Sequence, residues 1–209
     1  MLRFEQEAWT GGLLHVAGVD EAGRGPLAGP VVAAAVLFER NFLEAEADRS
    51  LAGLDDSKKL PAARREFFHA LLSACPRARI GVASASVEEI DALNVLRATH
   101  LAMARAVALL APPPDLALVD GLTVKGLPVP HRAIVGGDGA SLSIAAASVM
   151  AKVTRDRLMV ELAAQYPAYG FERHKGYGTR EHLDALRRHG PCPAHRKSFA
   201  PVAQLSLEF

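Results

Sequence analysis

One stretch near the N-terminus constrains the fold more than any other part of the chain. An apolar run from Val16 ends in two adjacent carboxylates, Asp20 and Glu21, and a turn crowded with glycine and proline follows up to Pro30. Neighbouring strand residues point to opposite faces, so both carboxylates serve one site only if the strand stops there and the backbone swings round. Residues 31–38 are uniformly apolar and predict a buried second strand.

The turn between these two strands offers groups for both a cation and an anion. Gly23 and Gly25 let the backbone approach a ligand closely, and Arg24 between them adds a planar fork of donors that matches phosphate. A plain polar turn between core strands is the alternative. A dinucleotide-binding glycine loop does not fit, because that motif opens a helix, whereas an apolar strand follows here.

Length and composition predict one ordinary domain over residues 1–209. Half of the 209 residues are hydrophobic, which is enough for a proper core. No apolar run approaches the roughly 18 to 20 residues of a membrane span, and the start lacks the pattern of a signal peptide, so we expect a cytoplasmic protein. Cys75 and Cys192 are too few and too far apart for a disulfide framework or a zinc motif.

The net charge of +1 argues against a protein that binds nucleic acid through its total charge alone. The distribution of the charges along the chain is more informative. Between Glu172 and Lys197, seven Lys or Arg side chains stand against three acids, with four histidines among them. A polyanion would be drawn to this quarter of the chain, although a merely solvated surface explains the same count. We expect residues from about 172 to 209 to form a basic helical extension and tail.

Strand and helix patterns alternate along the rest of the chain. The predicted helices are one over 62–74, a helical stretch from 86 to about 110, one over 142–166 and a last helix between 179 and 190. The predicted strands cover 79–85, 116–121, 127–131 and 133–135. Ser86 and Glu89 form a capping box at the start of the helical stretch. This order predicts an α/β fold whose central sheet is at least partly parallel and carries packed helices.

Two later carboxylates share the setting of Asp20 and Glu21. Asp120 ends a short buried strand, and Asp138 lies in a glycine turn before a long helix. Acids in such places, flanked by apolar sequence, are good ligands for a hard cation that prefers oxygen. Two divalent ions bridged by such carboxylates are the usual device for in-line phosphodiester hydrolysis, although a strand-end Asp often just caps a turn.

Several segments resemble the ribonuclease HII family, in the family's order, between about Val16 and Phe199. They are residues 19–30, 56–58, 119–121, 137–138, 143–148, 151–156 and 174–179. The resemblance implies a ribonuclease-H-like fold, with a central mixed sheet flanked by helices and a C-terminal helical extension. Its relative with an additional N-terminal domain fits less well, because only about a dozen residues precede the first strand.

The resemblance also implies an activity. Such an enzyme is a type 2 ribonuclease H, which hydrolyses RNA in RNA–DNA hybrids and cuts 5′ of ribonucleotides embedded in duplex DNA, leaving 3′-hydroxyl and 5′-phosphate ends. It uses two divalent ions, magnesium or manganese. Position by position, the family's catalytic, metal-binding carboxylates fall on Asp20, Glu21, Asp120 and Asp138. We expect a monomer that does not bind membranes.

Substrate contacts are carried over in the same way. The loop that contacts the sugar and phosphates at the ribonucleotide falls on Gly23, Arg24 and Gly25, and the tyrosine that packs at the RNA-to-DNA junction falls on Tyr177. A glycine-lined backbone close to the sugar is what recognition of a 2′-hydroxyl needs. Further substrate candidates, each with a solvated or surface role as the alternative, are Ser57, Lys58, Ser148 and Lys152.

The last six residues, 204–209, resemble the Gln-Leu-x-Leu-x-Phe peptide with which bacterial replication and repair proteins dock on the sliding clamp. The positions that would bind are Gln204, Leu205, Leu207 and Phe209. A tail that packs on its own domain is the alternative.

Two other functions stay open at this point. A two-metal nuclease of the same general fold that acts on branched DNA would not need Tyr177 beside a Gly-Arg-Gly loop. A non-catalytic binder of hybrids predicts missing or substituted carboxylates, and all four are present.

Overall fold

The computed structural model describes residues 1–205 and contains a five-stranded mixed sheet. The strands are β1 (Val16–Ala22), β2 (Val31–Phe38), β3 (Ala78–Ala85), β4 (Leu116–Asp120) and β5 (His131–Ile134). Their order across the sheet is β3-β2-β1-β4-β5. β2 is antiparallel to β1 and β3, whereas β4 is parallel to β1 and β5. The prediction of a partly parallel central sheet is confirmed.

Helices surround this sheet. They are α1 (Arg3–Thr10), α2 (Arg40–Glu46), α3 (Ala62–Ala74), α4 (Val87–Leu93), α5 (Val95–Ala108), α6 (Leu142–Gln165), α7 (Phe171–His174), α8 (Arg180–His189) and α9 (Ala200–Leu205). Within residues 1–205, none of them combines the length and the apolar character that crossing a membrane requires.

The two faces of the sheet carry separate cores because successive strand residues point to opposite sides. Ala34 and Val36 of β2 enter a core with α6 and α3, and Ala33 and Ala35 enter a second core with α5. All eight residues of β2 are therefore buried. α6 lies so close to β1 that a Cβ atom on Gly18 would stand 2.0 Å from a backbone carbon of α6.

Several predicted boundaries are confirmed, and others are corrected. β2 and α3 span the predicted residues, β4 ends one residue before the predicted Gly121, and the Ser86 capping box begins α4. The helical stretch predicted from there to about residue 110 is two helices, because Asn94 adopts a φ of 69° and its side chain caps α5. A single strand, β5, replaces the two predicted between 127 and 135.

The C-terminal helices form a third core against the turn that follows β1. Leu27 and Ala28 of the turn pack there with Met159 of α6, Phe171 of α7 and Leu186 of α8. Backbone hydrogen bonds of 2.8 Å join Leu27 to Gly176 and Gly29 to Ala194. The C-terminal helical part therefore supports the turn in which the sequence predicts substrate contacts.

Candidate active site

Three aspartates from distant parts of the chain meet at one edge of the sheet. Asp20 lies near the end of β1, Asp120 ends β4, and Asp138 lies in the 3-10 turn before α6. Because β1 and β4 are parallel neighbours, their carboxyl ends reach the same edge. One carboxylate oxygen from each aspartate lies within 4.8 Å of the other two. We call these three residues the acid cluster.

Glu21 lies beside the acid cluster. The expectation that β1 stops at the two carboxylates is wrong, because β2 pairs with β1 as far as Ala22 opposite Val32. Glu21 nevertheless lines the same cavity as Asp120, and its Oε1 accepts a hydrogen bond of 3.1 Å from Arg24. The carboxylate of Asp20 instead accepts the backbone N–H of Glu21 at 2.7 Å.

The carboxylates of the acid cluster repel one another. Burial raises the pKa of Asp20 well above its ordinary value, and the charges of Glu21 and Asp120 raise it further. Burial also raises the pKa of Asp138, and the charge of Asp120 raises it further. Within the described residues, Asp20 Oδ2 is buried without a hydrogen-bond partner.

This donor set fits a hard divalent cation such as magnesium or manganese. All the ligand atoms are carboxylate oxygens, which such ions prefer. A bound cation would compensate the unpaired oxygen of Asp20 and the mutual repulsion of the three carboxylates, both of which otherwise cost free energy.

Lys58 and two serines border the acid cluster. Burial alone would lower the pKa of Lys58, but the charges of Asp20 and of the neighbouring acids outweigh it, so the pKa is raised. Ser57 and Ser148 are both buried, and Ser148 Oγ donates a hydrogen bond of 2.8 Å to Ser57 Oγ. Ser57 also lines the cavity described next. Ser148 is close enough to Asp20 to lower the pKa of Asp20 slightly, against the larger effect of burial.

A cavity of about 470 Å³ beside the acid cluster brings together most of the predicted substrate contacts. Alongside Glu21 and Asp120, its lining contains Gly23, Arg24, Gly25, Ser57, Lys58, Lys152 and Tyr177. The Tyr177 ring is 45% exposed and stands over Gly25, where a Cβ atom would lie 3.7 Å from it. Lys152 forms an ion pair of 2.8 Å with Asp156.

Two buried arginines hold the glycine turn, and sequence reasoning assigned neither of them a role. Arg155 donates hydrogen bonds to the carbonyls of Ala28, Pro30 and Lys175. A Cβ atom on Gly23, whose φ is 96°, would lie 1.9 Å from Arg155 Nε, so this position requires glycine. The only signal for Arg155 was its place in the 151–156 segment that carries the family resemblance.

Arg196 binds the same turn from the C-terminal part of the chain, and we call Arg155 and Arg196 together the arginine clamp. It is fully buried and donates to the carbonyls of Gly23, Arg24 and Gly29. Burial, followed by the nearby charge of Arg155, lowers the pKa of Arg196 to about 9, so the side chain stays charged at neutral pH. In the sequence it is one basic residue among seven between 172 and 197, with nothing that marks it as buried.

Two buried histidines carry a chain of hydrogen bonds to the Tyr177 backbone. The backbone N–H of Cys192 donates to His195 Nδ1 at 3.0 Å, His195 Nε2 lies 3.0 Å from His182 Nε2, and His182 Nδ1 lies 2.9 Å from the carbonyl of Tyr177. One proton on each ring satisfies every link, so both rings are neutral. Burial lowers the pKa of His195 to about 4, which agrees with this assignment.

Comparison with known proteins identifies the family. The family model described as ribonuclease HII matches residues 17–202. Ribonuclease HII from Rhodospirillum rubrum is 60% identical over 191 residues, which cover 91% of this chain and 86% of that protein.

Solved structures agree with this match. The ribonuclease H2 from Pyrococcus horikoshii OT3 superimposes with a TM-score of 0.76 at 26% identity, over 93% of this chain and 98% of that one. The ribonuclease HII from Archaeoglobus fulgidus, solved in a complex with PCNA, has a TM-score of 0.69 at 28% identity, over 87% of this chain and 93% of that one. The chain therefore belongs to the ribonuclease HII family of type 2 ribonucleases H, which are metal-dependent endoribonucleases.

Proposed function

We propose that this enzyme hydrolyses RNA in RNA–DNA hybrids and cuts 5′ of single ribonucleotides embedded in duplex DNA. The products would be 3′-hydroxyl and 5′-phosphate ends. The observation that carries this proposal is the position of the acid cluster, with the unpaired oxygen of Asp20, directly beside the Gly23–Gly25 turn. Membership of the family supplies the reaction class, and this juxtaposition supports the substrate.

In this proposal Asp20, Glu21, Asp120 and Asp138 hold two divalent ions, magnesium or manganese. Such ions, when bound, supply an activated water and stabilise the leaving 3′ oxygen. Asp20 and Asp138 are buried and Asp120 is half-buried, so their charges act more strongly than they would in water. Arg24, now paired with Glu21, would exchange that carboxylate for a substrate phosphate.

The rest of the cavity would recognise the ribonucleotide. Gly23 and Gly25 expose backbone to the sugar, where a 2′-hydroxyl can form hydrogen bonds that a deoxyribose cannot. The exposed ring of Tyr177 would pack at the RNA-to-DNA junction. Lys58 and Lys152 would neutralise the backbone of the strand that is cut, and the buried pair of Ser57 and Ser148 would set the position of Lys58.

One assay with matched substrates tests this function. The same DNA duplex is prepared without RNA, with one ribonucleotide and with a run of ribonucleotides, and each is incubated with magnesium, manganese or a chelator. We expect cleavage only of the two RNA-containing duplexes and only with metal, 5′ of the single ribonucleotide. Cleavage of a branched DNA that contains no RNA, with the single-ribonucleotide duplex left intact, would assign the site to the branched-DNA alternative.

Tyr177 allows a sharper version of the same assay. Tyr177→Phe keeps the ring and serves as the control for Tyr177→Ala, which removes it. We expect Tyr177→Ala to lower cutting at the single ribonucleotide more than cutting within a long hybrid, and Tyr177→Phe to behave like the original protein. An equal loss on both substrates would contradict a role at the junction.

We also infer that the chain docks on the bacterial sliding clamp through Gln204, Leu205, Leu207 and Phe209. The support is the peptide pattern and the Archaeoglobus fulgidus relative solved with PCNA. Gln204 is exposed, and Leu207 and Phe209 lie outside the described residues. Deleting residues 204–209 should abolish clamp capture in a pull-down and leave cleavage of short duplexes unchanged, and capture that persists would contradict the inference.

We propose that residues 1–209 act as one catalytic unit, with the extension from about 172 to 209 as part of it. Two features support that view, because both join this extension to the glycine turn: the third core, and the hydrogen bonds of Arg196 in the arginine clamp.

A further inference from the structure

A second recess shares Glu21, Arg24 and Asp120 with the cavity described above, but its lining does not include Tyr177. A small cavity of about 120 Å³ contains Glu21, Arg24 and Asp120 in its lining and continues to Leu96 and His100 of α5. Those two α5 residues also line a larger cavity of about 720 Å³. We call the two cavities together the α5 trough. It runs from the acid cluster, over α5, to the loop between β4 and β5.

The far wall of the α5 trough is held in a defined position. The backbone N–H of Lys125, in the loop between β4 and β5, donates to His100 Nδ1 at 3.2 Å. The neighbouring N–H of Val124 donates to His131 Nε2 at the same distance. Both rings accept, which leaves the proton of neutral His100 on Nε2. The two histidines thus fix the loop that carries Lys125.

Two basic side chains, Arg97 of α5 and Lys125 of the loop between β4 and β5, line the larger cavity. Arg97 and Lys125 are exposed and, among the described residues, form no ion pair and no side-chain hydrogen bond, and the lining of the larger cavity contains no acid. Nearby basic residues differ: Arg105, also on α5, pairs with Glu89 at 2.7 Å, and Arg132 of β5 pairs with Glu7 at 2.7 Å. Within the part of the chain that the structure describes, Arg97 and Lys125 therefore present two free positive charges to the same cavity.

We propose that the α5 trough binds the phosphate backbone of the substrate duplex beyond the cutting site. Arg97 and Lys125 supply the charge that phosphate requires, and the trough is continuous with the acid cluster at which that backbone is cut. The exposed apolar side chains of Leu96 and Leu122 line the small cavity, where sugar rings would pass. The inference rests on the proposed hybrid substrate.

The double variant Arg97→Gln/Lys125→Gln tests this surface. The matched control is Arg49→Gln/Arg79→Gln, which removes the same charge at two positions that line neither cavity. Binding of a fluorescent duplex with one ribonucleotide is measured by anisotropy in chelator over a range of salt. We expect about tenfold weaker binding for the trough variant and a salt slope smaller by about 2, since two phosphate contacts are lost. The control should bind like the original protein.

Shorter duplexes show which side of the ribonucleotide contacts Arg97 and Lys125. Two shortened duplexes are compared, each lacking the DNA on one side of the ribonucleotide. The difference in affinity between the trough variant and the original protein should disappear with one of these duplexes and persist with the other. Under cleavage conditions the loss should fall mainly on KM rather than on kcat. An unchanged salt slope, or a difference that does not depend on either flank, would overturn the inference, as would a trough variant that changes only self-association in sedimentation.

Failure of the proposed function gives a separate result. If the original protein binds the duplex but does not cut at the ribonucleotide with metal, the proposed substrate is wrong. The anisotropy comparison in chelator still reports whether Arg97 and Lys125 contact a nucleic-acid backbone.

Discussion

The acid cluster and the arginine clamp are both buried and charged, but the protein treats them in opposite ways. Arg196 has its guanidinium spread over three backbone carbonyls, whereas Asp20 keeps one buried oxygen without a partner in the described residues. A buried charge whose hydrogen-bonding groups are satisfied supports structure, whereas an unsatisfied buried oxygen that lies among other carboxylates is suited to bind a cation. The difference separates the groups that position the site from those that act in it.

The largest expected effect comes from neutralising one member of the acid cluster. Asp120→Asn keeps the shape but removes a charge that the proposed metal ions require. We expect cleavage to fall by about a thousandfold or more, which corresponds to roughly 4 kcal/mol of lost transition-state stabilisation. Steady-state cleavage of the single-ribonucleotide duplex measures this, with Asp48→Asn, an exposed acid outside the cluster, as the control. Turnover like that of the original protein would refute the ligand assignment.

Breaking the arginine clamp should damage stability more than any change in the acid cluster. Arg196→Met retains much of the length but leaves the carbonyls of Gly23, Arg24 and Gly29 buried without a donor. Since each such loss costs about 1–3 kcal/mol, we expect the free energy of unfolding to fall by about 3 kcal/mol or more. Urea unfolding measures it.

A conservative variant separates positioning from folding. Arg196→Lys keeps the charge with fewer donors and should recover part of the stability. If the clamp also positions the glycine turn, Arg196→Lys should still prefer a long hybrid over a single ribonucleotide more strongly than the original protein does. If Arg196→Lys regains stability and has the same substrate preference as the original protein, the role of Arg196 is structural only.

The His182–His195 pair adds a third case to the comparison of the acid cluster with the arginine clamp. These two side chains are buried in their neutral form, so no buried charge has to be compensated. The folded pKa of His195, about 4, lies below the ordinary value of 6.5. The unfolded chain therefore binds the proton first, and stability that is present above pH 6.5 is lost as pH falls toward 4. The contribution of His195 should amount to about 2 kcal/mol between pH 7 and pH 5.

The measurement compares the unfolding free energy at pH 7 and pH 5 for the original protein and for His195→Gln. His195→Gln should be less stable at pH 7 but lose less on acidification. An identical loss in both proteins would mean that His195 is not the titrating group.

The smallest expected effect has the opposite sign. The raised pKa of Asp20 means that the folded protein binds this proton more tightly than the unfolded chain does, so stability falls as pH rises from the ordinary carboxyl range through the raised pKa. Without metal at neutral pH, Asp20→Asn should raise Tm by about 3 °C, which is roughly 1 kcal/mol for a chain of this length. Thermal melts with and without magnesium check this, and the metal-induced increase in Tm should shrink in the variant.

Local sequence patterns were enough to predict much of the fold. The apolar run of residues 31–38, the helical spacing of 62–74 and the Ser86 capping box each depend on neighbours within a few residues, and each is confirmed. Patterns failed where a single residue broke the periodicity, as Asn94 does between α4 and α5. They also failed at the end of β1, where pairing with β2 extends the strand past Glu21.

By itself the sequence determined which residue types were available: four carboxylates at strand ends and turns, a Gly-Arg-Gly turn and a tyrosine in a basic loop. Only the tertiary structure decided that Asp20, Asp120 and Asp138 lie within 4.8 Å of one another while Glu21 stands beside them. It also decided that Arg196 is buried under a turn more than 160 residues earlier, through its bond to the Gly29 carbonyl. The physical reason is that periodicity is a local property, whereas burial and charge compensation depend on which distant segments pack together.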